Sequence, residues 1–193
     1  GSPEATAIPG TATTPGSVGS LPAVWADYVE PNLLLINAGG RFTDASSEPP
    51  WTELGLSRAL VPADLDRDGD LDMVIANLDR APQVLRNLTI DEAAPPPPGA
   101  NWLQIRAIDP QHNREAIGAR ITVHTTSGPR LLHVLSSGSY LSTGPATAHL
   151  GLGTADAVVS FDVVWPDGIA ETFDGAAANQ VVELIRGKGR TPQ

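Results

Sequence analysis

The chain lacks cysteine altogether, and it has little positive charge. The absence of cysteine excludes disulfides, thiolate metal sites and cysteine nucleophiles. Twelve basic residues stand against 22 acidic ones, for a net charge of −10, so nucleic acid would be repelled and cations are better matched as partners. No stretch approaches the roughly 20 apolar residues that a membrane-spanning helix needs, and we expect no transmembrane segment.

Glycine and proline are abundant instead, with 19 and 18 of the 193 residues. Both residue types interrupt regular structure and favour turns between short strands. No segment shows a helical period beyond one or two turns, although 176–179 could form a single helical turn. We therefore predict an all-β fold with little helix.

Changes in composition along the chain predict five segments. Four consecutive prolines at 95–98 donate no backbone hydrogen bonds and mark a boundary in the middle. Residues 1–22 are mainly small residues, Pro, Gly, Ser and Thr, with a few aliphatics, and this composition is typical of a flexible or extended arm. The expected division is 1–22 as this arm, 23–90 as a first β-rich region, 91–100 as a Pro-rich linker, 101–187 as a second β-domain and 188–193 as a tail.

Short apolar runs between turn residues predict the strands. In the first region, 32–36 and 41–43 flank Gly39 and Gly40 as a hairpin, and 60–63, 72–78 and 83–87 follow. Seven further runs in the second region predict a sandwich or barrel. These seven runs are 102–108, 117–126, 130–136, 146–150, 158–165, 169–173 and 181–185.

One motif carries specific chemistry, the stretch 64–72 with five aspartates at alternate positions and a glycine in the sixth. So many like charges are unfavourable together unless a cation neutralises them. Oxygen donors without His or Cys favour Ca²⁺ over zinc or copper, and Mg²⁺ prefers to keep its water. The predicted metal ligands are Asp64, Asp66, Asp68, Asp70 and Asp72.

Within this loop, Gly69 permits the sharp bend, Asp70 is expected to offer its main-chain carbonyl and Asp72 to close the sphere. An EF-hand is an alternative, but its twelfth position would be Ile75 rather than a bidentate Glu, and the flanks are strand-like. A solvated acidic turn without metal remains the other alternative. We expect a bound ion to be structural rather than catalytic.

The first region resembles an FG-GAP or VCBS repeat, the blade of integrin-type β-propellers. The resemblance covers 32–88 and rests on 32–37, 40–44, 63–72, Asn77 and 84–87. It implies a propeller-blade-like antiparallel sheet with a Ca²⁺-binding loop. A propeller closes with roughly four to eight blades, whereas 23–90 supply one to one and a half. We therefore expect a subunit that docks on another protein, or a fragment of a larger one.

The second region, 101–187, resembles the ASPIC/UnbV domain that follows such repeats in the cartilage acidic protein family and in exported bacterial proteins. The motifs that carry it lie at 101–103, 113–120, 138–142, 149–153 and 164–168. The resemblance implies an extracytoplasmic, periplasmic or secreted, β-sandwich-like or barrel-like domain, packed beside or linked to the blade. It transfers no catalytic residue to this chain.

No residue pattern points to an enzyme. The serines lack a Gly-x-Ser-x-Gly elbow, and the acidic residues in strands and turns are expected to be solvated charges. We predict a non-enzymatic Ca²⁺-binding interaction or assembly module with protein partners, such as a larger exported or membrane-bound complex. The alternative is a carbohydrate-binding module, because β-sandwiches can stack sugars on exposed aromatic rings.

The aromatic residues bear on that alternative. Trp102 and Trp165 are expected in the core of the second region with Tyr140 near them. Trp25, Tyr28 and Trp51 lie in less regular segments and are predicted to be exposed.

Overall fold

The fold is built from β-strands, which confirms the predicted class. The computed structural model describes residues 6–7, 23–90, 96–112 and 115–192. The strands are β1 (Thr6–Ala7), β2 (Glu30–Pro31), β3 (Leu35–Ala38), β4 (Arg41–Asp44), β5 (Leu54–Gly55), β6 (Ser57–Ala63), β7 (Asp72–Asn77), β8 (Gln83–Arg86), β9 (Asn101–Ile108), β10 (Arg120–Thr125), β11 (Gly128–His133), β12 (Ala148–Gly153), β13 (Ala157–Val164), β14 (Ala170–Ala177) and β15 (Gln180–Ile185). A 3-10 helix spans Ala23–Tyr28.

The chain divides into two compact units. The first contains the described residues up to Pro62 together with Asp72–Leu88 and Ser139–Ser142. The second contains Ala63–Leu71 and the described residues of Thr89–Gly138 and Thr143–Gln193. Residues 64–71 of the aspartate loop therefore belong to the second unit, whereas its last residue, Asp72, opens β7 in the first unit. The preceding strand β6 lies mostly in the first unit.

The first unit is a four-stranded sheet in the order β1-β8-β7-β6, accompanied by the two-stranded sheets β2-β5 and β3-β4. The predicted hairpin is the β3-β4 pair, and Gly39 and Gly40 both have positive φ, as a two-residue hairpin turn requires. The core of this unit is small, with Trp51, Ile75 and Leu85 at its centre.

A buried ion pair links two segments of the first unit. The Asp79 carboxylate accepts a hydrogen bond from the Leu56 backbone N–H at 3.2 Å and pairs with Arg80 at 3.0 Å. Burial opposes the charge of Asp79, but the Arg80 side chain and the Leu56 N–H outweigh it and lower the pKa. Arg80 also donates to the Leu54 carbonyl.

The second unit contains two sheets, ordered β11-β10-β13-β14 and β12-β9-β15. All seven strands predicted for this region are present. In β9, alternate side chains are buried, with Leu103, Ile105 and Ala107 fully enclosed in the core. Trp165 and Phe161 are the largest side chains there.

Several aromatic predictions were wrong. Trp51 is 7 % exposed, because it packs against Ile75 and Leu85 rather than facing solvent. Tyr140 is 66 % exposed, since it belongs to the turn-rich segment between β11 and β12 and not to the core. The predictions for Trp165, which is buried, and for Tyr28, which is exposed, are confirmed.

The structure describes only parts of the predicted arm, linker and tail. Of the expected arm 1–22, the described pair Thr6–Ala7 forms β1 and pairs antiparallel with β8, and the rest lies outside the described residues. The linker prediction for 91–95 and the motif residues 113–114 also lie outside them. In the expected tail, Arg190 bridges to Thr172 of β14. The described residues contain no helix long and apolar enough to span a membrane.

Candidate metal centre

The aspartate loop begins where β6 ends and stops where β7 begins. Arg67 and Gly69 both have positive φ, of 67° and 105°, and these two residues fold the loop back on itself. Asp64, Asp66 and Asp68 each bring a carboxylate oxygen within 4.8 Å of the others. Alternate positions therefore converge on one point, as the sequence pattern predicts.

The electrostatics of this cluster favour a cation. The pKa of Asp68 is raised to about 6, chiefly by burial and then by the charges of Asp70, Asp66 and Asp64, although a hydrogen bond from the Asp70 N–H opposes the rise. Among the described residues, Asp64 Oδ1 and Asp68 Oδ2 are buried without a hydrogen-bond partner. Buried oxygens without a donor are costly in a protein, and a hard divalent cation would satisfy both of them. The residues fit Ca²⁺ on these grounds.

The other two predicted ligands lie outside this group of three. Asp70 is buried, and its Oδ2 accepts a hydrogen bond from the Ile90 backbone N–H at 2.8 Å. Asp72 opens β7 in the first unit, where its Oδ1 accepts from the Asn87 backbone N–H at 2.8 Å. Each carboxylate thus ties its strand or loop to a neighbouring backbone segment.

Three residues of the second unit contact the loop, and sequence analysis did not single them out for this. The Gln104 side-chain amide donates to Asp64 Oδ2, and His149 Nε2 donates to the Gly69 carbonyl at 2.8 Å. The indole of Trp102 covers Gly69 so closely that a Cβ on residue 69 would lie 1.8 Å from Trp102 Cε2. Gln104 and His149 are 40 and 80 residues from their partners, so no local pattern reveals these contacts.

A second polar cluster lies at the end of the second unit. Asp109 is 3 % exposed, and its carboxylate accepts hydrogen bonds from Arg186 at 2.6 Å and from the N–H groups of Gln111 and His112. Arg186 also pairs with Asp167, and its guanidinium lies 5.9 Å from the centre of the Trp165 ring. Each of these partners donates a hydrogen bond to the Asp109 carboxylate. We therefore interpret the cluster as a structural network in which the buried charge is satisfied.

A third group lies across the β10-β13-β14 face. His124 Nε2 is 2.7 Å from Asp162 Oδ2, and the Thr172 hydroxyl donates to Asp162 Oδ1 at 2.7 Å. The hydrogen bond from Thr172, and then that from His124, lower the pKa of Asp162 against the opposing effect of burial.

Together these features define an all-β protein of two units, the second of which includes an acidic loop suited to a hard cation. Residues 109–191 match the family model described as ASPIC and UnbV. This match confirms the resemblance predicted for the second region. No curated protein matches the chain.

Proposed function

We propose that this protein is a non-enzymatic, extracytoplasmic interaction or assembly module that binds Ca²⁺ through its aspartate loop. It would act as a subunit that docks on a larger exported or membrane-bound complex. The calcium-binding part of the proposal rests on the convergence of the Asp64, Asp66 and Asp68 carboxylates. Two of their oxygens, Asp64 Oδ1 and Asp68 Oδ2, are buried and lack a hydrogen-bond donor.

In this proposal, Asp64, Asp66 and Asp68 supply carboxylate oxygens, and backbone carbonyls such as that of Asp70 complete the set. Asp72, predicted as the closing ligand, and the Asp70 carboxylate hold the loop through their backbone donors. Bound Ca²⁺ would neutralise the clustered charges and so stabilise the closed loop. The resemblance of 32–88 to an FG-GAP repeat supports the same ion and an extracytoplasmic location.

Calcium should raise the thermal stability of the intact protein. A ligand at about 100 times its Kd adds about 2.7 kcal/mol of stability to the folded state. In a chain of this size that corresponds to a rise in Tm of roughly 5–10 °C. The measurement compares melting curves in EGTA and in excess Ca²⁺, with calorimetric titration of Ca²⁺ into the EGTA-treated protein after the chelator is removed.

The Asp68→Asn variant sharpens this experiment. It should lose most of the calcium response, yet in EGTA it should be at least as stable as the wild type, because one repelling buried charge is gone. Asp156→Asn, at an exposed aspartate outside the loop, should keep the full response. A wild-type melting curve that does not respond to Ca²⁺, with no heat of binding, would overturn the calcium half of the proposal.

The proposal of a protein partner rests on the exposed apolar residues of the first unit. Every residue of β3 and β4 is exposed, including Leu35, Ile36 and Phe42. A two-stranded sheet is marginal in water unless something covers one of its faces. An exposed apolar hairpin of this kind is typical of a surface that a protein partner covers.

The carbohydrate-binding alternative has less support. Of the three aromatic residues expected to be exposed, Trp51 is buried, and Trp25 is half-buried with the Arg58 guanidinium 5.3 Å from its ring centre. Only Tyr28 of this set presents a largely open ring. A sugar platform needs a free aromatic face, so we favour the protein partner.

A further inference from the structure

Trp102, Gln104 and His149 form one patch on the face of the β12-β9-β15 sheet. Trp102 and Gln104 are two residues apart on β9, so their side chains lie on the same face. His149 on β12 is directly opposite Gln104 in the antiparallel register. The rings of Trp102 and His149 are stacked, with centroids 6.5 Å apart and planes 12° from parallel. The patch therefore has a flat apolar part and a hydrogen-bonding edge.

The aspartate loop lies on this patch and is held at two points. At its apex, Gly69 lies under the Trp102 indole, and its carbonyl accepts the His149 Nε2–H. At its start, Asp64 accepts the Gln104 amide through Oδ2, and its other oxygen, Oδ1, is one of the two that lack a donor. Gln104 thus orients the Asp64 carboxylate so that Oδ1 remains available.

We propose that Trp102, Gln104 and His149 are positioning residues for the calcium site, held on the sheet of the ASPIC/UnbV-like unit. This inference rests on the proposed Ca²⁺ binding. Carboxylates that repel one another spread apart unless other contacts hold them, and outer groups that orient metal ligands contribute strongly to affinity. The loop would therefore bind Ca²⁺ tightly only when β9 and β12 support it.

The patch suits this role better than general packing would. Gln104 contacts a carboxylate oxygen of a predicted ligand, whereas a packing residue would contact the loop through apolar atoms alone. The carbonyl of Gly69 is fixed in direction by its hydrogen bond to His149. Each contact limits the loop at a position next to or within the Asp64, Asp66 and Asp68 cluster.

The test measures Ca²⁺ affinity by calorimetry in the intact protein. Gln104→Ala should raise the Kd roughly tenfold or more, since loss of an outer group that orients a metal ligand typically costs about 10–100-fold. Its Tm in EGTA should stay close to that of Gln180→Ala, the matched control. Gln180 is an exposed glutamine on β15 of the same sheet, and its side-chain amide donates to the Ala177 carbonyl at 2.9 Å, away from the loop.

A second variant, His149→Phe, keeps an aromatic ring beside Trp102 and removes the donor to Gly69. It should also weaken Ca²⁺ binding, by a smaller factor, because Gly69 itself is not a predicted ligand. His133→Phe, at an exposed histidine of β11, serves as its control and should bind Ca²⁺ like the wild type.

The outcomes separate this inference from the proposed function. If the wild type binds no Ca²⁺, both the proposed function and this inference fail. If the wild type binds Ca²⁺ and Gln104→Ala binds it equally well, the inference alone fails. Equal losses in Gln104→Ala and Gln180→Ala would also overturn it, because they would show a general effect of the sheet on the fold.

Discussion

At the scale of single residues, Gly69 is held by two separate constraints. Its φ of 105° is in the region that side chains other than glycine rarely adopt, and the Trp102 indole occupies the place of a Cβ. The sequence pattern explains the positive φ, since a sharp loop of alternate aspartates needs a flexible residue. The pattern does not predict the close contact with the Trp102 indole, which depends on a strand more than 30 residues away.

Gly69→Ala should therefore be more destabilising than an ordinary glycine substitution. We expect a loss of about 2–5 kcal/mol in the free energy of unfolding, from the backbone cost of roughly 1–2 kcal/mol and the displacement of the indole. Gly168→Ala is the matched control, because Gly168 has a φ of 90° and a Cβ there would meet no other atom within 4 Å. Urea denaturation of both variants measures the difference, and equal losses would argue against close packing at Trp102.

The carboxylate of Asp109 shows how a buried charge is stabilised by its neighbours. Burial alone would raise its pKa, but hydrogen bonds from Arg186 and from the N–H groups of Gln111 and His112 prevail and lower the pKa to about 2. Arg186 holds this position while it also pairs with Asp167, whose pKa is lowered chiefly by the same Arg186. One guanidinium thus links the end of β15 to two preceding loops.

This network predicts an acid-sensitive second unit. A carboxyl group whose folded pKa is below its ordinary value of 3.8 adds stability above that value, and the added stability is lost as the pH falls toward about 2. We expect the urea midpoint of the wild type to drop between pH 4 and pH 2. Asp109→Asn should be less stable at pH 7 and should show a shallower drop, whereas Asp156→Asn should follow the wild type. Parallel pH profiles for wild type and Asp109→Asn would contradict this role.

At the scale of elements, the strands were predictable because their pattern is local. All seven strands of the second unit overlap the predicted apolar runs between turn residues, and β3 and β4 overlap the runs predicted on either side of Gly39 and Gly40. One local prediction was wrong. Residues 176–179 form no helical turn, because Ala176 and Ala177 extend β14 and pair with β13. The low strand preference of alanine is outweighed here by the pairing with β13.

The contacts of the aspartate loop were not predictable in the same way. The pattern of alternate aspartates predicts the convergence of Asp64, Asp66 and Asp68, because side-chain spacing within the loop determines it. The pattern does not reveal that Asp70 bonds to Ile90 or that Gln104 bonds to Asp64, since these contacts depend on the tertiary fold. For the same reason Trp102, expected in the core, is half-buried and covers Gly69 instead.

At the scale of the whole molecule, the two units differ in the size of their buried apolar cores. Among the residues that the structure describes, the second unit has a core of fifteen buried apolar residues, whereas the core cluster of the first contains Trp51, Ile75 and Leu85. The first unit also carries the exposed hairpin β3-β4, in which Phe42 is 68 % exposed. A small core and an open apolar hairpin make the first unit the better candidate for a surface that a partner covers.

This difference predicts where a partner protein binds. The tagged wild-type protein, produced in its own organism and cross-linked there, should be recovered with a defined exported or membrane-bound partner, and the cross-links should fall around β3-β4. Phe42→Ser should weaken that association about 30-fold if Phe42 is a central contact, since such residues contribute about 2 kcal/mol or more. Leu131→Ser, at a similarly exposed apolar residue on β11, should leave the association unchanged. Recovery of the wild type alone, or equal recovery of the partner with both variants, would rule out docking through this hairpin.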